Sequence, residues 1–177
     1  MMTASVNQPP FGLAGFFLVA VLGLVLIAVR GAAAVWIGGV GPEAAVMLAV
    51  YAAWRSEKWA AVLAAFILGL FRDAAGGGLL GIYQVTLILA IWVFHPWRRR
   101  VHLESPLPLM LCVFSLTLGV DFLALALRTA LSGWPGPGFN PVPDFLVSAL
   151  ASALAAPPLF WFLERLLGGR SVGARHG

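Results

Sequence analysis

Residues 107–131 read LPLMLCVFSLTLGVDFLALALRTAL. A membrane-spanning helix needs roughly 20 apolar residues. Leu107–Leu131 is long enough to cross with tilt, and it predicts a helix of lipid-facing and packing residues. Two ionisable residues interrupt it. Asp121 lies near the middle, and Arg128 follows seven residues later on the same face, about 10 Å along the axis. At that distance the two side chains are not expected to touch. An ionisable residue inside a span is costly, so each one needs a reason. Asp121 allows two readings: a polar site for a ligand, a proton or a partner helix, or an internal hydrogen bond to a neighbouring helix with the carboxyl protonated or satisfied.

The rest of the chain has the same character. Of 177 residues, 61% are hydrophobic and 10% charged, and the mean hydropathy is +0.95. Soluble domains carry about 45–50% apolar and about 25% charged residues. That contrast excludes an ordinary soluble enzyme, and disorder is excluded because it needs low hydrophobicity and high charge. The fold class that remains is an all-α polytopic integral membrane protein. With short connections there is room for about six or seven spans and none for a soluble domain. One transmembrane helical domain is expected over residues 1–170, with a flexible cytoplasmic tail at 171–177. Cys112 is the single cysteine, so no internal disulfide is possible.

Outward from the opening stretch, six spans can be placed. The first is Phe11–Val29, closed by Arg30. Ala32-Ala33-Ala34 resembles a signal cleavage site, but the preceding run is too long and lacks a basic leader, so a span is expected. Gly31–Gly41 carries four glycines and predicts an ordered loop or re-entrant piece. Pro42 and Glu43 suit the first turn of the second span, which ends near Trp54. A polar turn, Arg55–Lys58, leads to the third span, from Trp59 to Asp73. The second and third spans are short and predict a hairpin partly sheltered by the longer helices. Gly76-Gly77-Gly78 breaks the chain before the fourth span, Leu79–Phe94, which His95-Pro96-Trp97 stops. The glycine- and proline-rich stretch 133–138 is a loop, and the sixth span runs from Val142 to Leu163 with a kink at Pro157-Pro158.

Charge distribution orients these spans. One side holds Arg55, Lys58, Arg98, Arg99, Arg100, Arg165, Arg170 and Arg175; the other holds Arg30, Arg72 and Arg128, all expected at helix ends. Eight against three places both termini in the cytoplasm by the positive-inside rule. The net charge of +4 then reflects topology and anionic lipid, and not nucleic acid. Trp36, Trp54, Trp59, Trp97 and Trp134 fall at interfaces, whereas Trp92 and Trp161 lie inside spans and read as packing.

Asp73 follows Gly69 by one helical turn, so the two share a face. The glycine allows another backbone to approach next to the carboxylate. Asp73 then either positions a bent hairpin for a partner or satisfies loop amides. Arg72 beside it is expected to face headgroups. Ala60 with Ala64, and Ser148 with Ser152 and Ala156, form small-residue stripes for close helix packing. No catalytic set is visible: His95, His102 and His176 lack metal-ligand spacing, and Gly76-Gly77-Gly78 lacks the Lys-Ser/Thr of a phosphate-binding loop. No enzyme activity and no cofactor are expected.

The region Pro42–Arg100 resembles the rod-shape-determining protein MreD family of bacteria. Pro42-Glu43 opens an apolar helix that contains Tyr51 and ends at Arg55. Gly69-Leu70-Phe71-Arg72-Asp73 is similar to the family's Gly-Leu-x-x-Asp element. Gly77-Gly78-Leu79-Leu80-Gly81 is similar to its Gly-Gly-Pro-Leu-Gly turn, with Leu79 where the family often has proline. The resemblance implies a non-enzymatic scaffold of the bacterial cell-elongation machinery, which builds lateral peptidoglycan. It implies binding to the bitopic protein MreC, links to MreB, RodA and a class B penicillin-binding transpeptidase, and a place in the cytoplasmic (inner) membrane. Pro42, Glu43, Gly69, Asp73, Gly77, Gly78 and Gly81 are the positions it singles out. It also implies a fold similar to the substrate-binding subunits of energy-coupling-factor transporters.

That last likeness supplies the alternative, a carrier subunit for a small vitamin-type molecule, with Asp121 and Arg128 as the polar pair inside the bundle. Such subunits show an Ala-x-x-x-Ala stripe on the first span. Here Leu18 and Leu24 interrupt it, and Ala28 and Ala32 alone match.

Overall fold

The computed structural model describes residues 13–37, 41–76, 80–97, 106–133, 136 and 140–168. Gly77 and Gly78, the basic run 98–100, His102, Trp134 and the tail 171–177 lie outside the described residues. Six helices follow one another: α1 (Leu13–Ile37), α2 (Ala44–Arg55), α3 (Lys58–Gly76), α4 (Ile82–Trp97), α5 (Pro106–Ser132) and α6 (Val142–Gly168). There is no strand among the described residues. Lys58–Gly76, Pro106–Ser132 and Val142–Leu166 are long and apolar enough to cross a membrane.

The first expected boundary moves. α1 does not stop at Arg30 but continues to Ile37, so the first seven residues of Gly31–Gly41 are helix and neither loop nor re-entrant piece. The physical reason is local. Gly31 is isolated and followed by three alanines, the best helix formers. The other glycines, Gly38, Gly39 and Gly41, come only after the helix end. Arg30 therefore lies within a helix, as does Arg128, and neither is at a helix end as the charge count assumed. Pro157 and Pro158 sit inside α6 without ending it.

α2 occupies the centre. It packs against each of the other five helices, which succeed one another around it in the order α1, α3, α4, α5, α6. Every residue from Ala44 to Ala53 is buried. A helix that is apolar all round must be enclosed, and its many alanines let neighbouring helices approach closely. Twelve residues rise only about 18 Å, well short of a hydrocarbon core of about 30 Å. The short second span, expected to be partly sheltered, is therefore enclosed over Ala44–Ala53. Its ends meet protein: the Glu43 N–H donates to Ser152 Oγ, and Ala52 O accepts from Ser56 N and Oγ, partners of the kind that a membrane interior requires.

On α3 the fully enclosed row is Ala61, Ala65 and Gly69, while Ala64 is buried and Ala60 only half-buried. On α6, Ser148, Ser152 and Ala156 are buried inside the bundle, so that stripe is an internal contact. Trp92 and Trp161 are not packing residues: they are 55% and 62% exposed. Lys58 lies over the Trp92 ring at 4.4 Å and Arg165 over Trp161 at 5.4 Å. Cation and ring stabilise each other there, so these tryptophans belong with Trp54 and Trp59 at the basic end of the bundle.

Because Ala49 is fully buried in α2, Ala49→Leu adds carbons where no space exists. Thermal unfolding in detergent should show a loss of about 1–3 kcal/mol. Leu154→Ala, on an exposed face of α6, should leave the transition close to that of the unmodified chain. Equal effects of the two changes would contradict the enclosure of α2.

Candidate functional site

The polar residues buried in this apolar chain gather mainly at the two ends of α2. At its N-terminal end, the α1–α2 connection meets the end of α3, the start of α4 and the first half of α6.

The local sequence shapes that meeting point. Glu43 is the residue before the first helical turn, with φ −82° and ψ 85°, and its carbonyl accepts the first helical bond, from Met47 N at 3.1 Å. Pro42 precedes it and is exposed. Both lie just outside the helix, not in its first turn as expected. The Glu43 backbone N–H donates to Ser152 Oγ at 2.7 Å. Ser152 Oγ donates to Ser148 O at 2.7 Å, and Ser148 Oγ donates to Gly41 O at 3.1 Å. The serine stripe on α6 thus does more than keep helices close. Its hydroxyls satisfy the turn that leads into the central helix.

The Glu43 carboxylate does not cap α2. It turns to Arg72 on α3, which donates through Nε at 3.3 Å and Nη2 at 3.2 Å. This two-pronged geometry is the strong form of the arginine–carboxylate pair. Glu43 is 3% exposed, and a carboxylate so deeply placed needs a countercharge. Arg72 therefore does not face headgroups. Its guanidinium also lies over the Tyr83 ring of α4 at 4.6 Å. Arg128 of α5 approaches the same ring at 5.3 Å. Asp121 is 3% exposed, and its charge acts on both Arg72 and Tyr83. Glu43, Arg72, Tyr83, Asp121 and Arg128 thus form one electrostatic group drawn from the turn before α2 and from α3, α4 and α5.

Asp73 faces the other way, to the start of α4. Its carboxylate accepts from the backbone N–H groups of Gly81 at 2.9 Å, Tyr83 at 3.1 Å and Gln84 at 3.2 Å. Those amides have no partner within a helix start, and a carboxylate there also favours the helix dipole. One turn earlier, a Cβ on Gly69 would lie 2.4 Å from Gln84 Cα, so the two backbones nearly touch. Gly81 adopts φ +100°, a region that side chains avoid. Gly69, Asp73 and Gly81 together lock α3 to α4.

A second polar layer lies at the C-terminal end of α2. Tyr51 Oη donates to Glu164 Oε1 at 3.3 Å, and Arg55 Nε lies 3.4 Å from the same oxygen. Tyr51 packs edge-on against Trp54 and Phe160, and Trp54 stacks on Phe160. Ser56 Oγ donates to Ala52 O, closing the turn into α3. Glu164 and the Glu43–Arg72 pair were not singled out from sequence. An acid inside an otherwise apolar stretch was the available signal for Glu164. Among the described residues, no group of three or more His, Cys, Asp or Glu is placed to hold a metal ion.

Removing one partner of the Glu43–Arg72 pair leaves a charge without its partner in the bundle. Glu43→Gln and Arg72→Gln should each cost about 3 kcal/mol. The double variant should cost clearly less than the sum, as measured by denaturant unfolding in a double-mutant cycle. Strictly additive costs would show that the pair is not coupled.

A family model described as rod shape-determining protein MreD matches residues 10–166. No curated protein and no solved structure matches the chain. The match takes in all the polar residues assembled above, from Glu43 to Glu164. Its span, together with three helices able to cross a membrane, makes this a membrane protein. The chain belongs to the MreD family of rod shape-determining proteins.

Proposed function

We propose that the chain acts in rod-shape determination as a non-enzymatic membrane scaffold of the cell-elongation machinery, and that it does so by binding MreC. The observation that carries this reading is the family match over residues 10–166. The geometry is in keeping with it. The buried carboxylates of Glu43 and Asp73 hold helices to each other, which suits a body that presents a fixed surface. In this reading the chain passes through the cytoplasmic (inner) membrane six times, the short α2 inside the bundle, both termini are cytoplasmic, and MreB, RodA and a class B penicillin-binding transpeptidase share the assembly. The likeness to energy-coupling-factor subunits rests on the family resemblance, and nothing in the family match favours a solute carrier.

The positions Pro42, Glu43, Gly69, Asp73, Gly77, Gly78 and Gly81 are proposed to act through the shape of the α2–α3–α4 unit. Depletion of the protein should round rod-shaped cells. Asp73→Ala removes a cap whose loss costs about 0.5–2 kcal/mol. Gly81→Leu places a side chain at φ +100°. Both variants should recover less MreC in co-purification and restore shape poorly, with Asp73→Asn milder because it keeps an acceptor. Full MreC binding and normal shape in both Asp73→Ala and Gly81→Leu would show that this element does not determine the interface.

A further inference from the structure

The tandem prolines of α6 leave a gap in its hydrogen bonding. A helical carbonyl accepts from the N–H four residues on, and proline has no N–H. α6 runs as α-helix through Pro157 and Pro158, so the carbonyls of Ala153 and Leu154 lose their helical donors. The two are not equivalent. Ala153 is buried in the bundle, and the Ala156 N–H, three residues on, can be shared with it. Leu154 has proline at both the third and the fourth position on, and the Leu159 N–H that follows belongs to Ala155 in an α-helix. No side chain donates to the Leu154 carbonyl among the described residues. Leu154 is 65% exposed. Pro158, whose ring crowds that carbonyl, is exposed as well. The oxygen without a donor therefore lies on the outer face of the bundle.

Depth in the membrane decides what can meet it. Leu154 stands twelve residues after Val142 and fourteen before Gly168, about 18 and about 21 Å from the two helix ends. That is the middle of a hydrocarbon core about 30 Å thick, where a polar group without a partner is costly. The oxygen carries partial negative charge, and the complementary charge is a donor hydrogen. Acyl chains offer none, and the hydrocarbon holds no water. A second copy of this chain is poorly equipped to supply one. Ser115, on an exposed face of α5 at comparable depth, already donates to Leu111 O of its own helix at 2.8 Å, and Thr86, Thr117, Ser148 and Ser152 are buried. What fits is a membrane helix of a different protein that carries Ser, Thr, Asn or Gln at mid-depth, since such side chains bond across helices. We propose that the outer face of α6 around Leu154 and Pro158 docks a partner's membrane helix, with the Leu154 carbonyl as its polar acceptor. That the helix is the one of MreC rests on the scaffold reading above.

The test measures the affinity of full-length MreC for the full chain in neutral detergent. Pro158→Ala returns an N–H to the Leu154 carbonyl and should weaken MreC binding about three- to tenfold. Pro157→Ala returns one to Ala153 and should leave the affinity within about twofold. Pro158→Ala gains a helical bond, so its Tm without MreC should not fall. Alanine in place of the hydroxyl and amide side chains of the MreC membrane helix should weaken binding to the unmodified chain, with no further loss in Pro158→Ala. If Pro158→Ala does not fold, Leu154→Trp decides: its bulk beside the carbonyl should weaken MreC binding, whereas Val85→Trp on the exposed face of α4 should not. Unchanged affinity in Pro158→Ala, or equal losses in the two proline variants, would overturn the α6 site and leave the scaffold reading standing. Failure of MreC to bind the unmodified chain would overturn both. Loss of self-association in Pro158→Ala with MreC binding intact would assign the face to a second copy and overturn the proposal.

Discussion

The carboxylate of Glu43 is the point on which the bundle closes. It stands just before a helix buried on every side, and it meets the guanidinium of Arg72 in a two-pronged contact at 3.2 and 3.3 Å. Its own backbone N–H is held by Ser152 of α6. One residue thus joins the start of α2 to α3 and α6 together. A charge pair within a membrane protein brings little stability relative to apolar packing. It is strongly selective, however, because any arrangement that separates the two leaves a charge without its partner in the bundle. That selectivity favours α3 beside the start of α2.

The central helix can be short because of this arrangement. A helix that faced lipid would need about 20 residues. α2 has 12, and each end finishes in a polar layer supplied by neighbours: Glu43, Arg72 and the α6 serines at one end, Tyr51, Arg55 and Glu164 at the other. Between these layers the contacts are alanine and aliphatic, which brings backbones close. In the proposed scaffold role this rigidity matters, because outer helices around a core pinned at both ends present the same surface to a neighbour.

Much of this was legible in the sequence, for reasons that can be named. The all-helical membrane class follows from composition. The α3–α4 lock was readable because its residues are local: Gly69 and Asp73 are one turn apart, and Gly81 stands at the turn that follows. The Glu43–Arg72 pair was not readable, because the two residues are 29 positions apart on helices whose mutual rotation no periodicity reports. Arg72 was assigned to headgroups as a charge near a helix end. Consecutive helical residues point about 100° apart, so Arg72 faces Glu43 while Asp73 faces α4. Glu164 was not readable either, because Tyr51, which donates to it, lies 113 positions away. The α1 boundary was misplaced because the four glycines of Gly31–Gly41 were weighed as one segment, although three of them come after the helix end.

Amide hydrogen exchange in lipid nanodiscs tests the central claim most directly. α2 is the shortest of the six helices, and in isolation a helix of that length would be marginal. Enclosed and pinned at both ends, it should open only with the whole bundle. The amides of Met47–Trp54 should therefore be among the slowest in the protein, slower than those of the longer α1, whose main helix contacts among the described residues are with α2 and α3. Exchange in α2 as fast as in α1 would contradict the account.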